Sequence, residues 1–220
     1  MKITEEMIRA NEDIRVYIAC ADESMKALGY TEHSFAHVMK VAETAKEMLG
    51  KLGYDERTCE LAWIAGYMHD IGNVVNRADH AQSGALMTFR ILDKMGMDAC
   101  ENAMIVTAIG NHDESTAFPV NPIAAALILA DKTDVRRSRV RGNDMAQFDI
   151  HDRVNYAVTS SRLEIDESEK RISLYLTIDD DISAVADYFE IFLGRMLLSR
   201  KAAAKLGCNF SLIINGLTLM

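Results

Sequence analysis

Apolar residues recur at helical spacing along the first two thirds of the chain. Six stretches have apolar positions about 3.6 residues apart, with glycines at or beyond their ends: 4–28, 34–52, 56–71, 80–95, 99–109 and 122–140. Pro119 and Pro122, the two prolines of the chain, lie together in a loop between helical stretches, where they break no helix. We therefore predict a mostly α fold, with a helical bundle over residues 1–148.

The spacing of apolar residues changes after about residue 150. Ile172, Leu174, Leu176 and Ile178 alternate with polar residues, which is typical of a half-buried strand. We predict a small α+β unit over residues 149–220 that consists of an antiparallel hairpin, a helix and a strand, without a residue cluster that indicates catalysis. Its remaining predicted parts are a partner strand that begins at Val154 and continues through Leu163 and Ile165 with a bulge near 160–161, a turn at 166–170, a helix at 182–206 and a strand at 210–214.

Composition and charge limit the class of protein. The 220 residues are 49% hydrophobic, which is enough to bury a sizeable core. The chain has 24 Lys and Arg but 33 Asp and Glu, so its net charge is -9. Binding to a nucleic acid backbone is therefore not expected. The first residues are acidic where a secretory signal is basic, and the apolar run 123–130 is shorter than the about 18 residues that suggest a membrane span. We expect a cytoplasmic protein that binds neither membranes nor nucleic acid.

The four cysteines are Cys20, Cys59, Cys100 and Cys208, and they are widely separated along the chain. Without a close pair, neither a zinc knuckle nor a disulfide framework is indicated, and free thiols in a reducing compartment are expected. We predict that all four fill the core.

Histidines on inward helix faces are the first candidates for chemistry. His37 shares a helix stripe with Val41 and Ala45, which turns its imidazole toward the interior. His33 lies one turn earlier on the same stripe and is a second candidate, because a His-x-x-x-His pair can hold a metal ion. A lone inward histidine is usually structural. We favour His37 as a ligand because it lies deeper in the periodic stretch.

Two aspartates follow apolar helical stretches. Asp70 follows His69 in the last turn of a predicted helix, where a carboxylate opposes the helix dipole by roughly 0.3–1 kcal/mol. Asp131 directly follows the run 123–130, which is apolar on all faces and must be buried. A divalent metal ion would neutralise both acids. For Asp131 alone, a salt bridge to a neighbouring Lys or Arg is the alternative.

The order of His37, His69, Asp70 and Asp131 resembles the H…HD…D signature of the HD-domain metal-dependent phosphohydrolase superfamily. The resemblance covers roughly residues 30–140 and includes the sequences MHDIG and LADK around the ligands. Four such residues in this order on apolar helices make a specific signal, whereas His-Asp alone is a weak one. The resemblance implies an HD-type helical bundle that binds one or two divalent ions.

Two further histidines, His80 and His112, match an extended form of the same family with a dinuclear site. The resemblance implies that they hold one ion, that Asp70 bridges two ions, and that the other three ligands hold the second. For each of them, a substrate contact or a surface position is the alternative. Iron or manganese is expected with such nitrogen and oxygen ligands, and magnesium, zinc, nickel and cobalt are alternatives.

Basic residues follow the last predicted ligand. If the helix continues past Asp131, Lys132, Arg136 and Arg139 fall within one narrow arc at positions i, i+4 and i+7. In an acidic protein, such a stripe beside a metal ligand is a suitable place for an anion. The three residues are therefore candidates for substrate binding, and a solvated basic face is the alternative.

The resemblance implies a hydrolase whose substrate is a small-molecule phosphate ester, with a nucleotide or dinucleotide favoured. His69 and Asp70 are the expected catalytic residues, and the nucleophile is hydroxide from a metal-bound water whose pKa the ion lowers. Bacterial HD enzymes that split diadenosine tetraphosphate symmetrically represent one subtype that the resemblance allows.

Two departures from the family pattern narrow this interpretation. Asn73 stands where many relatives have a lysine after HDIG, so a positive contact to the substrate is missing or is supplied by Lys132. The HHExxDGxGYP stretch of the cyclic-di-GMP phosphodiesterases is absent from the sequence, which disfavours that subtype.

Other functions and the role of residues 149–220 stay open at this point. A non-catalytic sensor would bind metal and nucleotide and use the C-terminal unit for dimerisation. A diiron oxygenase is a less favoured alternative, because some HD proteins resemble myo-inositol oxygenase. We expect a homodimer formed through residues 149–220, since strands with an apolar face invite pairing, and a lid over the site is equally allowed.

Overall fold

The computed structural model describes residues 2–142 and 148–220. The part up to residue 142 is helical, and short 3-10 turns follow its fourth and seventh helices at Ile71–Val74 and Arg137–Arg139. Its α-helices are α1 (Glu5–Ala10), α2 (Glu12–Ala27), α3 (Phe35–Lys51), α4 (Glu56–Met68), α5 (His80–Lys94), α6 (Ala99–Gly110) and α7 (Pro122–Lys132). The predicted mostly α fold is confirmed.

The remaining residues form a small α+β unit. Its elements are α8 (Ile150–Ala157), β1 (Val158–Asp166), β2 (Arg171–Ile178), α9 (Val185–Lys205), β3 (Asn209–Ile214) and β4 (Leu217–Thr218). The strands form one sheet in the order β1-β2-β3-β4, in which β2 and β3 are parallel and the other neighbours are antiparallel. A parallel pair needs a long crossover, and α9 provides it between β2 and β3.

Helix α9 joins the two parts of the molecule. It packs against α7 of the bundle and against β2 and β3 of the sheet. One continuous cluster of buried apolar residues includes Leu127 of α7, Phe192 of α9 and Leu174 of β2. The C-terminal unit therefore shares its core with the bundle, while the predicted domain division after residue 148 stays a prediction.

The predicted helix over 4–28 is interrupted at Asn11. This residue lies between α1 and α2, and its side-chain oxygen accepts a hydrogen bond from the backbone nitrogen of Ile14. An asparagine side chain that caps a new helix competes with continuation of the preceding one. The apolar spacing continues across the break because Ile8, Ile14 and Ile18 are all buried.

The prediction of a helix over 122–140 is wrong beyond Lys132. Helix α7 ends there, and the Thr133 hydroxyl donates to the carbonyl of Leu129 at 2.6 Å. Asp134 then turns inward, where one of its carboxylate oxygens is 2.8 Å from Nδ1 of His37. The chain leaves the helical path because this buried carboxylate interacts with another helix.

The predicted partner strand is confirmed from Val158 onward, where it pairs with β2, and is wrong before that residue. Residues 150–157 form α8, and β1 begins at Val158. Val154 and Ala157 are both buried and three residues apart, which is helical spacing. The irregular register lies between Val158 and Ser160, next to the predicted bulge at 160–161.

Two of the four cysteines fill the core as predicted. Cys59 and Cys208 are buried, whereas Cys20 and Cys100 are exposed, so the prediction is wrong for these two. All four are free thiols. Cys20 and Cys100 lie on solvent-facing positions of α2 and α6. The residues around them in the sequence do not show which face of the helix they occupy.

A membrane crossing requires a long apolar helix. Among the helices of residues 2–142 and 148–220, none has the length and hydrophobicity for it.

Helices α3 and α4 approach each other closely at Gly66, which yields a stability prediction. A Cβ at this position would lie 2.7 Å from Cα and 2.9 Å from the backbone nitrogen of Ala42. We expect Gly66→Ala to lower the free energy of unfolding by about 1–3 kcal/mol, since the backbones must separate. Denaturant unfolding measures this change.

Gly194→Ala is the matched control. Gly194 lies inside α9 with no atom within 4 Å of a built Cβ, so alanine there should stabilise by about 0.5–1 kcal/mol. Equal effects of the two substitutions would contradict the proposed close approach.

Candidate metal centre

The ends of five helices meet at one cluster of histidine and aspartate side chains. Two helix N-termini and three helix C-termini contribute to it. The cluster consists of His37 at the start of α3, His69 and Asp70 directly after α4, His80 at the start of α5, His112 after α6 and Asp131 near the end of α7. Each of these residues was a predicted ligand, and the fold brings all six together.

Asp70 lies in the middle of the cluster. Its Oδ2 is 3.2 Å from Nε2 of His69 and 3.6 Å from Nε2 of His37. Its Oδ1 is 3.6 Å from Nε2 of His80 and 4.0 Å from Nε2 of His112. The two carboxylate oxygens therefore face different pairs of histidines, which is the position of a carboxylate that bridges two ions.

Asp131 is the second acid of the cluster. Its Oδ1 lies 3.4 Å from Nε2 of His37 and 3.9 Å from Nε2 of His69. Its Oδ2 accepts a hydrogen bond of 2.7 Å from Nζ of Lys132. Both interpretations of Asp131 therefore hold in part, because one oxygen is ion-paired and the other faces the histidines.

Backbone carbonyls orient three of the imidazole rings. Nδ1 of His69, of His80 and of His112 lies 2.6–3.0 Å from the carbonyl oxygen three residues earlier. A carbonyl only accepts hydrogen bonds, so Nδ1 must carry the hydrogen. In the neutral ring, Nε2 then presents its lone pair to the cluster, as a metal ligand requires.

The fourth ring, that of His37, is oriented by Asp134. Its Nδ1 lies 2.8 Å from Oδ2 of Asp134, a carboxylate that the sequence analysis did not select. Burial raises the pKa of Asp134, but the hydrogen bond from His37 and the charges of Arg139 and Arg136 outweigh it, so the pKa is lowered. The ionised Asp134 holds the hydrogen on Nδ1 of His37, which leaves Nε2 free to bind an ion.

The donor atoms fit a divalent cation. Nε2 of His37 and Nε2 of His69 are buried and have no hydrogen-bond partner among the described residues, which is costly for a polar atom. Nε2 of His80 and Nε2 of His112 lie 3.2 Å apart, so two lone pairs face each other. Ligands about 2.1 Å from one ion are separated by about 3.0–3.4 Å, close to the observed spacings.

Charged and neutral groups alternate in the cluster. Burial lowers the pKa of His69, but the neighbouring Asp70 outweighs it, so this pKa is raised, and a metal ion would have to displace the proton. Burial raises the pKa of Asp70, but the nearby His69 outweighs it, and the pKa lies well below its usual value. The pKa of Asp131 is likewise well below its usual value, since Lys132 and His37 outweigh the effect of burial. Burial lowers the pKa of His112 to about 3. Ionised carboxylates and a neutral imidazole are the forms that bind metal ions.

Gly72 of the HDIG sequence allows α5 to reach the cluster. A Cβ at Gly72 would collide with the backbone of His80 and of Gly84. The absence of a side chain therefore lets the start of α5 lie against the turn after Asp70, which brings His80 to this carboxylate.

His33 is close to the cluster without joining it. The residue precedes α3, so it does not share the helix stripe of His37 as predicted. Its Nδ1 lies 2.7 Å from the carbonyl oxygen of Thr31, and its ring centroid is 5.7 Å from that of His37. His33 lines the cavity above the cluster, where it can contact a ligand.

The predicted basic stripe does not exist, because α7 ends at Lys132. Lys132 and Arg139 line the same cavity as the cluster, and Arg136 does not. The guanidinium of Arg139 donates to the backbone carbonyls of Glu32 and Asp134. Arg136 donates to a carboxylate oxygen of Asp134 at 2.9 Å. The two arginines thus support the loop that contains Asp134.

Asn73, the departure from the family pattern, contacts the cluster directly. Its side-chain amide donates to Oδ1 of Asp70 at 2.9 Å. Its own oxygen accepts from Nη1 of Arg77 at 3.3 Å, and Arg77 lines the cavity. A positive charge therefore stands near the position of the missing lysine, which the sequence analysis did not foresee.

The C-terminal unit completes the cavity. Asn155 of α8 and Phe192 and Arg195 of α9 line it together with Asp70 and Asp131. No catalytic cluster was predicted in residues 149–220, because these side chains form no motif in the sequence. Of the two predicted roles, a cover over the site agrees with this arrangement, and dimerisation stays a prediction.

The chain is similar to known proteins over the helical part that carries the cluster. Residues 34–136 match the sequence profile of the HD domain. The chain is 26% identical to an uncharacterised protein of Methanocaldococcus jannaschii over 192 aligned residues. This alignment covers 77% of this chain and 73% of that protein. It is also similar to the crystal structure of a predicted HD superfamily hydrolase from an uncultured Thermotogales bacterium, with 26% identity, a TM-score of 0.45 and coverage of 60% of this chain and 73% of that one.

Asp134 provides a test of the cluster as a metal centre. We expect Asp134→Asn to weaken metal binding by roughly 10- to 100-fold, since the charge that supports His37 is lost. Competition with a fluorescent chelator measures the affinity for Mn²⁺. Asp93→Asn, at an exposed position of α5, is the control and should leave the affinity unchanged.

Thermal unfolding of the metal-free proteins separates affinity from stability. Unchanged affinity in a folded Asp134→Asn protein would contradict the proposed support of His37 by Asp134.

Proposed function

We propose, from the match of residues 34–136 to the HD domain, that the protein is a metal-dependent hydrolase of phosphate esters. The observation that carries the proposal is the group of four imidazoles whose Nε2 atoms surround the buried carboxylate of Asp70. No lysine or arginine within the described ranges pairs with this carboxylate. A divalent cation is the compensating charge that the arrangement requires.

His37, His69 and Asp131 would hold one ion, His80 and His112 a second, and Asp70 would bridge them. Bound divalent ions lower the pKa of a coordinated water and offset negative charge on phosphoryl oxygens. The mixed nitrogen and oxygen donors suit iron or manganese. We assign His69 and Asp70 as catalytic residues, since they would hold the ions that activate the water and bind the phosphoryl oxygens.

Cationic side chains of the cavity would hold the phosphate group. Nζ of Lys132 lies 2.7 Å from Asp131 and can donate to a phosphoryl oxygen beside the same carboxylate. Arg77 supplies positive charge next to His80, with 3.4 Å between Nη1 and Nε2. Because both cations flank the ligands, an anionic substrate is held where the nucleophile forms.

The cavity also supports a nucleotide or dinucleotide as the substrate. Tyr30 lines it with 45% of the residue exposed, and the Arg77 guanidinium carbon is 5.7 Å from the centre of its ring. An exposed aromatic ring can stack on a base, while the adjacent guanidinium can bind a phosphate.

Turnover of phosphate esters tests the proposal. We expect the protein loaded with Mn²⁺ or Fe²⁺ to hydrolyse an aryl phosphate and at least one nucleotide from a broad panel. Chelation should abolish the activity. Asp70→Asn should lower kcat/KM by at least about 100-fold together with the metal content, because the shared ligand is lost. Phosphate release and elemental analysis are the measurements.

Asp93→Asn serves again as the control and should keep both activity and metal. A metal-loaded protein that hydrolyses no phosphate ester of the panel would refute the proposal, and retained nucleotide binding would then favour a sensor.

A further inference from the structure

Arg195 lies in the C-terminal unit, outside the HD domain, and its side chain lines the cavity of the metal centre. We propose that Arg195 is a substrate-binding residue that holds two oxygens of the phosphate group through its two terminal nitrogens. This inference rests on the proposed function, since it assigns a binding residue to the same site. It also gives residues 149–220 a role in recognition.

Two contacts fix the position of the Arg195 guanidinium. Its central carbon lies 4.4 Å from the centre of the Phe192 ring, a side chain that is only 1% exposed. Its Nε lies 2.5 Å from Oε1 of Glu114. A guanidinium held over an aromatic face and against a carboxylate loses little further entropy when it binds an anion.

The outer edge of the guanidinium is free for a ligand. In the parts of the chain that the structure describes, neither terminal nitrogen of Arg195 has a hydrogen-bond or ion-pair partner. Arg139, which also lines the cavity, differs because all of its side-chain nitrogens donate to backbone carbonyls. Paired nitrogens of one guanidinium match the oxygens of a phosphate in a bidentate contact.

Glu114 lies between Arg195 and Lys132, close to the metal centre. It follows the ligand His112 by two residues, and its Oε1 is also 3.9 Å from Nζ of Lys132. One carboxylate therefore lies between two cations from different parts of the fold. Lys132 borders the cluster through Asp131, so a phosphate bound there can contact Lys132 on one side and Arg195 on the other.

Calorimetric titration with inorganic phosphate tests the proposal on the full-length, Mn²⁺-loaded protein. Phosphate binding does not require turnover, so the test remains informative if the protein hydrolyses nothing. We expect Arg195→Gln to raise the Kd for phosphate by about 10- to 100-fold, the effect of losing charged hydrogen bonds. Arg195→Lys should give an intermediate Kd, since it keeps the charge without the paired donors.

Arg200→Gln is the matched control, because it removes the same charge from an exposed position of α9. Its Kd should stay within about twofold of the wild type, as expected for a screened surface charge. Thermal unfolding must show that each variant is folded, and elemental analysis must show that it holds the metal. If Arg195→Gln does not fold or does not hold the metal, Arg195→Lys takes its place. With an aryl phosphate, KM should rise more than kcat falls.

A Kd for phosphate that Arg195→Gln and Arg195→Lys leave within twofold of wild type would overturn the proposal. Equal weakening by Arg195→Gln and Arg200→Gln would overturn it as well, because the effect would then come from net charge. Weakened phosphate binding in a protein without turnover would support Arg195 and contradict the proposed hydrolysis.

Discussion

The structure depends on one buried carboxylate that no lysine or arginine of the described residues neutralises. Asp70 is 4% exposed and lies just after a helix C-terminus, where the helix dipole is unfavourable for an anion. The nearest groups are imidazoles whose nitrogens are acceptors in the neutral state. A buried anion surrounded by lone pairs costs several kcal/mol unless a cation joins it. The arrangement of five helix ends around this point follows from that requirement.

Helix ends provide both the ligands and their orientation. The last carbonyls of a helix have no partner within it, and the rings of His69 and His112 bind the carbonyls of Gly66 and Ile109 at such ends. The same backbone feature that ends a helix therefore fixes the tautomer of a ligand beside it. The ring of His37 instead binds the carboxylate of Asp134, which lies 97 residues away in the sequence.

The C-terminal unit forms one wall of the cavity above the cluster. Helix α9 packs on α7, the helix of Asp131, and brings Arg195 to the cavity. The histidines and aspartates of the bundle thus line the same cavity as side chains of α8 and α9. The cluster and this wall can vary independently in sequence, because they belong to different elements.

Apolar periodicity, a local feature of the chain, predicted the helical bundle and the β2 strand. The resemblance to a family signature implied the six clustered histidines and aspartates. Tertiary structure alone decided where α7 ends, that 150–157 is helical, and that Asp134 binds a histidine 97 residues away. It also brought Arg195 to the cavity. Such pairings depend on packing between distant segments, and a periodic pattern does not contain that information.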